Sequence, residues 1–380
     1  MITVTSRDPD RPAEPAPDSD RTTPRAELKA LAKDEPGTAT DIPAADQSSE
    51  KPPLPTGLCV LGLGLIGGSL LRVSAGHIAD AYGWSPSART REQASAEGFE
   101  VLDDLDAALR RAARSDALVV MASPVTAFDE LLEAVSLQSP QVLLTDVGGV
   151  KQPVAEQVRV LTPQARYIGS HPMTGTTRSG WPAGSADLFA DRVWVTSFDD
   201  DADMDDWAPI AGLALTVGSR VVPIEPGNHD DAAARISHLP HLMAAALAQV
   251  GAAGGPVPLA LAAGSFTDGT RVAGTRPELV RAMCETNAEP LISALDEALA
   301  LLGVARASLA STGSIGAMAE RGHDARGALL RRFDDLQPIT LGGTDLAEQL
   351  LSVGSAGGYV TAVRPAGSGW SVAAMYPIQD

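Results

Sequence analysis

The chain has 380 residues, 44% of them hydrophobic, and a formal net charge of −19 at pH 7; that length accommodates two domains with buried cores, and the charge disfavours a nucleic-acid or anionic-membrane surface. No apolar run approaches the roughly 18 to 20 residues of a membrane span, and no charged start followed by an apolar core marks a secretory signal. Cys59 and Cys284 are far apart, which makes neither a disulfide framework nor a cysteine metal cage. The expectation is a cytoplasmic protein with no metal, and with neither nucleic acid nor membrane as partner. Small anionic substrates stay open, because a few arginines dominate the potential of a cleft.

In chain order, residues 1–56 are rich in Pro, Asp, Ser and Ala and read as a disordered tail, with one short helix around "RAELKALAKD". Order is expected from "GLCVLGLGLIGGSLL". Over 57–226 the short apolar runs "IADAYGW", "DALVVMASP", "QVLLTDV", "ARYIGS", "RVWVTS" and "SRVVPIE" alternate with helix-length segments. That spacing implies βαβ units and a parallel sheet. Over 227–333 strand-like runs vanish, and segments such as "DDAAARISHLPHLMAAALAQV" predict helices that bury themselves or a partner subunit. Residues 334–380 read as a small α/β appendage, a hairpin after a helix. No internal repeat is visible.

The first chemical motif is Gly62-Leu63-Gly64-Leu65-Ile66-Gly67. A lone GxGxxG is weak, but this one follows the strand "LCVL" and opens an apolar helix, where glycines let the backbone approach a pyrophosphate. Gly62, Gly64, Leu65, Ile66 and Gly67 are therefore assigned to a dinucleotide. An NAD site usually places a carboxylate about 20 residues on, at the end of the second strand; here Ser85 stands there, with Arg89 and Arg91 close behind. Either arginine meets a 2′-phosphate or simply faces solvent, so NAD+ and NADP+ both stay open. Ser123 and Pro124 lie just beyond the next strand, and Asp146 closes the one after it, at the sheet end where α/β folds bind ligands. Lys151 is the only lysine after residue 51, which favours a structural or site role over a surface one.

His171 sits in "GSHPMTGTTRSGW", a run of Gly, Ser and Thr with no helical or strand period. Taken alone it is an ordinary loop histidine, although imidazole suits proton transfer near neutral pH. His238 and His241, three residues apart across Pro240 and with no cysteine near, make a poor zinc pair.

Taken together, "GLGLIGGS", "TDVGGVK", "GSHPMTGT", "NHDDAAARISHLPH" and "GSFTDGTRVAGTRPELVRAMCETN" resemble the prephenate dehydrogenase family, from about 57 to 302 and in the same order. The resemblance implies a Rossmann-type nucleotide-binding domain followed by an all-α dimerisation domain, a homodimer, and oxidative decarboxylation of prephenate with NAD(P)+ in tyrosine biosynthesis. By the same resemblance His171 takes the ring-hydroxyl proton, and Arg271 pairs with a substrate carboxylate. His241, Thr176, Gly264 and Ser123 line the substrate pocket, with His229 and His238 in support. Gly149 departs from the pattern where many members carry a serine that holds the hydroxyl and the histidine; Ser123, Ser170 or water is expected to replace it. Thr177 stands where some relatives have glutamate, and Val280 where some dimers place an aromatic ring. These departures keep alternatives open: arogenate as substrate, a catalytically weak dinucleotide-binding sensor, or another reductase with the same two-domain plan.

Overall fold

The computed structural model describes residues 51–176 and 178–378. The tail and short helix expected up to residue 50, and Thr177, lie outside the described residues. Residues 51–56, expected as the end of that tail, instead lie against the folded part: Leu54 packs on its core.

The chain then runs through β1 (Gly57–Leu61), α1 (Leu65–Ser74), β2 (Asp80–Trp84), α2 (Ala88–Ala96), β3 (Val101–Leu102), α3 (Leu105–Ser115), β4 (Leu118–Met121), α4 (Phe128–Gln138), β5 (Leu143–Asp146), α5 (Gln152–Leu161) and β6 (Arg166–Tyr167). All six strands are parallel, in the order β3-β2-β1-β4-β5-β6. Every residue of β1, β4 and β5 is buried, as continuous apolar strands covered by helices on both faces must be. Ser87 and Asp104 accept from the backbone N–H groups of Thr90 and Ala107 and so fix where α2 and α3 begin. Strand order reverses between β1 and β4, which opens a crevice beyond their C-terminal ends, where such sheets bind dinucleotides.

The run "RYIGS" is not one strand. Ile168 still donates to Leu144 of the first sheet, and β7 (Gly169–Pro172) then leaves it to pair antiparallel with β8 (Val193–Ser197). His171 therefore lies within a strand, opposite Val195, and not in a loop. Helix α6 (Met204–Thr216) connects β8 to the parallel β9 (Arg220–Ile224).

The helical part follows. α7 (Pro226–Ala233) continues through a π-turn at Ala234–His238 into α8 (Leu239–Ala253), the junction residues staying right-handed helical. The wide turn coincides with Pro240, which has no N–H to give to a regular helical ladder. Helices α9 (Pro256–Ala260), α10 (Gly264–Thr270), α11 (Pro277–Thr286), α12 (Ala288–Thr312) and α13 (Gly316–Leu330) complete this part. Its core is small: Ala234, Cys284, Leu291 and Ala294, with Val280 packed against them. No helix among the described residues is long and apolar enough to cross a membrane.

The C-terminal segment does not stand apart. β10 (Leu336–Gly342), α14 (Leu346–Ser355), β11 (Tyr359–Ala366) and β12 (Gly369–Pro377) extend the second sheet to the order β10-β12-β11-β9-β8-β7. One hydrophobic cluster runs from Leu58 and Val60 of the first sheet through Trp181, Trp194 and Trp207 to Val360 and Val372.

Candidate active site

The glycine turn after β1 is shaped for close approach. Gly62 has φ +106°, and a Cβ there would lie 2.6 Å from Ser123 Oγ; its N–H donates to the Trp84 carbonyl at 2.8 Å. A Cβ on Gly67 would collide with the Gly62 carbonyl oxygen, whereas one on Gly64 would meet nothing within 4 Å. Gly64 caps α1 without a side-chain hydrogen bond, and no acidic residue stands in the first turn, which Leu65 and Ile66 begin. Open space in front of uncapped helix N–H groups fits a dinucleotide pyrophosphate. Ser123 is half-buried beside this turn and donates to the Leu61 carbonyl at 3.3 Å, with Pro124 exposed next to it. Ser85 is buried at the end of β2 and Arg89 is exposed on α2.

Asp146, expected to touch the cofactor, is placed otherwise. It is fully buried, and its carboxylate pairs with the Lys151 ammonium and accepts from the Tyr167 hydroxyl and the Gly148 N–H, both at 2.8 Å. A carboxylate so occupied cannot also reach a ribose; it fastens the end of β5. Lys151 Nζ donates to the Ser170 carbonyl at 2.8 Å, tying β5 to β7 just ahead of His171. Burial pulls the Lys151 ammonium below the usual lysine range, against the opposing charge of Asp146. Burial, reinforced by that carboxylate, pushes the Tyr167 phenol well up. Lys151 is thus a structural clamp.

His171 has a partner that sequence reasoning assigned only a supporting role. Its Nδ1 lies 2.9 Å from His229 Nε2, and His229 Nδ1 lies 2.8 Å from Asp230 Oδ1. The same carboxylate accepts from the backbone N–H groups of Lys151 at 2.7 Å and Gln152 at 2.9 Å. A carboxylate only accepts, so His229 carries its proton on Nδ1 and offers a bare Nε2; His171 must then donate from Nδ1, which leaves its own Nε2 as a free acceptor. Burial holds His171 well below the usual imidazole range, and His229 and the Lys151 charge add to the shift. His229 is lowered too, mainly by burial and against the pull of Asp230. The result is a neutral, oriented base at pH 7. The side-chain partner of His171 is His229; Ser123 bonds the Leu61 carbonyl, and the Ser170 hydroxyl bonds Thr145 and the Asp146 carbonyl. A Cβ on Gly149 would lie 3.9 Å from His171 Cε1, so Gly149 borders the ring without offering a side-chain group.

Asn287, at the junction of α11 and α12, braces this chain. Its amide donates to the Asp230 carbonyl at 2.8 Å and lies 3.1 Å from His238 Nδ1; burial takes His238 down to about 4. Nothing in the sequence pattern marks Asn287. For His229 the signal is the adjacent pair His229-Asp230 on a short helix whose other buried residues are Pro226 and Ala233. His241 is half-buried beside the Val272 backbone and the Arg271 charge, and burial lowers its pKa. Arg271, in the turn packed on α8, and Gly264, at the start of α10, are exposed. Thr176 is exposed and bonds locally to the Arg178 backbone. The structure thus joins His171 to His229 and Asp230, and places His241 beside Arg271. Among the described residues, no hydrogen bond runs from Thr176 or Gly264 to either group.

The loop that leaves His171 is anchored. Trp181 is buried under the Arg72 guanidinium, 3.5 Å from its ring centroid, and its indole N–H donates to Glu97 at 2.8 Å. Ser69 of α1 accepts from the Ser185 N–H at 2.9 Å.

The chain matches the family model for the prephenate dehydrogenase nucleotide-binding domain over residues 72–223, and that for the prephenate dehydrogenase dimerization domain over 225–313. It is 32% identical over 266 residues to the cyclohexadienyl dehydrogenase of Zymomonas mobilis, covering 67% of this chain and 88% of that one. Against the prephenate dehydrogenase of Bacillus subtilis identity is 30% over 254 residues, 63% of this chain and 66% of that one. A crystal structure of a candidate prephenate dehydrogenase from Corynebacterium glutamicum superposes with a TM-score of 0.75 at 46% identity, covering 80% of this chain and 97% of that chain.

Proposed function

The chain belongs to the prephenate dehydrogenase family, and from that premise we propose that it oxidises prephenate, with loss of CO2, to 4-hydroxyphenylpyruvate, using NAD+ or NADP+ as hydride acceptor. The observation that carries this reading is the bare Nε2 of His171, fixed by the His171–His229–Asp230 chain. The bound nicotinamide supplies a two-electron acceptor for the hydride on the ring carbon that bears the hydroxyl. As that hydride leaves, His171 Nε2 takes the hydroxyl proton, so the oxygen becomes a ketone without building up full alkoxide charge. The ketone then draws in the electron pair of the ring–carboxylate bond, the carboxylate departs as CO2, and the resulting phenolate oxygen regains the proton from His171 to give the product phenol.

His229 and Asp230 hold the ring in the required tautomer and offset the imidazolium charge through the hydrogen-bonded chain. Arg271 offers a guanidinium fork to one substrate carboxylate, with His241 beside it and Thr176 and Gly264 lining the same pocket. The active assembly is a homodimer: α12 buries only Leu291 and Ala294 of its 25 residues, leaving an apolar face for a second copy to cover.

Purified protein incubated with prephenate and either dinucleotide is expected to reduce the nicotinamide and release CO2 in equal amounts. A folded protein that reduces neither dinucleotide overturns the proposal.

A further inference from the structure

The corner between β2 and α2 separates two arginines that the sequence leaves equivalent. The Gly62–Trp84 hydrogen bond joins the end of β2 to the glycine turn, so the residues after Trp84 stand where an adenosine ribose lies in this fold. There the chain reads Ser85-Pro86-Ser87, and the first turn of α2 contains no acidic residue. The carboxylate that accepts from a ribose 2′-hydroxyl, and repels a 2′-phosphate, is missing from its usual place.

Arg91 is engaged through two of its three nitrogens. Its guanidinium donates to the Ser85 carbonyl at 2.7 Å and the Pro86 carbonyl at 3.3 Å, and its Nε pairs with Asp103 at 3.0 Å. It holds the corner in shape and masks the Asp103 charge. Arg89 is exposed and makes no hydrogen bond or ion pair among the described residues. Ser85 Oγ and Ser87 Oγ both act as acceptors, from the Ser87 N–H at 3.4 Å and the Thr90 N–H at 3.3 Å. Each hydroxyl therefore keeps its own proton to donate, Ser87 at the exposed rim of the corner and Ser85 on its buried side.

Resting on the family reading above, we infer that Ser85, Ser87 and Arg89 form a binding corner for the adenosine 2′-phosphate, so that the chain prefers NADP+ to NAD+. Two hydroxyl donors and one unpaired guanidinium, with Asp103 already paired to Arg91, complement a phosphate dianion. In a chain of net charge −19, such an anion site has to be built locally.

Isothermal titration of the intact protein with NADP+, NAD+ and adenosine 2′,5′-bisphosphate tests this without turnover. NADP+ is expected to bind at least about tenfold more tightly than NAD+, with adenosine 2′,5′-bisphosphate binding measurably by itself. Arg89→Ala should weaken NADP+ and the bisphosphate about 10- to 100-fold while leaving NAD+ affinity in place, and Ser85→Asp should reverse the preference. NAD+ binding as tightly as NADP+, or an Arg89→Ala variant that loses both dinucleotides equally, overturns the inference and leaves the proposed function standing. Binding of neither dinucleotide overturns both.

Discussion

The α/β part and the helical part treat their apolar residues in opposite ways. In the first, β1, β4 and β5 are buried throughout, and even a lysine lies buried against its own carboxylate. In the second, α12 leaves Ile292, Leu299, Val304 and Leu309 each more than half exposed. The proposed homodimer would cover such a helix layer, because a monomer rarely keeps so much apolar surface in water. The polar seam between the two parts is nevertheless finished within one chain: Asp230 of α7 caps the start of α5 while it orients His229. The hydrogen-bonded chain proposed to handle the proton is therefore completed within one chain, whereas Arg271 is exposed.

Replacing His171 by Asn attacks the finished side most directly. Loss of the base should lower kcat by about 10²- to 10⁴-fold with dinucleotide affinity retained; an unchanged kcat would move the chemistry elsewhere. Asp230→Ala cuts the seam and leaves buried donors on Lys151 and His229 unpaired, along with the part-buried N–H of Gln152. Each such group costs about 1–3 kcal/mol, so a chemical denaturation curve should shift markedly and kcat should fall with it. On the open side, Arg271→Ala is expected to raise KM for prephenate about 10- to 100-fold with a smaller change in kcat, and a KM that stays put would remove Arg271 from substrate binding. Val304→Glu should halve the mass measured in solution by light scattering and lower Tm, sparing the α/β core; a native mass would place the interface off α12.

Acidification separates the parts more gently. His171, His229 and His238 are held below the ordinary imidazole value of 6.5 in the fold, His238 at about 4. Between those depressed values and 6.5 the unfolded chain binds more protons than the folded one, so stability rises with pH across that window and is lost as pH falls through it. A lower denaturation midpoint at about pH 5 than at about pH 7 is expected. The acidic limb of kcat/KM, which reports the free enzyme, should lie below 6.5, the ordinary value for His171.

The parallel strands and the glycine turn were legible because each is a local pattern: an apolar run, a fixed spacing, a helix start. β3 has only two residues, too few to show a period. The break at Ile168 was invisible because both sheets draw on one continuous apolar run. Likewise the hairpin near the C-terminus was readable, but not that β11 would pair with β9, which is fixed by packing across more than a hundred residues of helix. In the site, His171 could be singled out, and the rarity of lysine pointed at Lys151. Asp146 misled because a carboxylate at a strand end looks the same whether it faces a ribose or a buried ammonium five residues on. His229 lies 58 residues from His171, and only the fold brings them together.

The Trp181 anchor has a consequence for entropy. Pro172 is held by the β7–β8 pairing, and Trp181 by the Arg72–Trp181–Glu97 contact. Fixing these two flanking residues takes part of the entropic cost of positioning the residues next to them before any ligand arrives. A contact made from Thr176 then costs little further ordering, and more of the interaction energy survives as affinity.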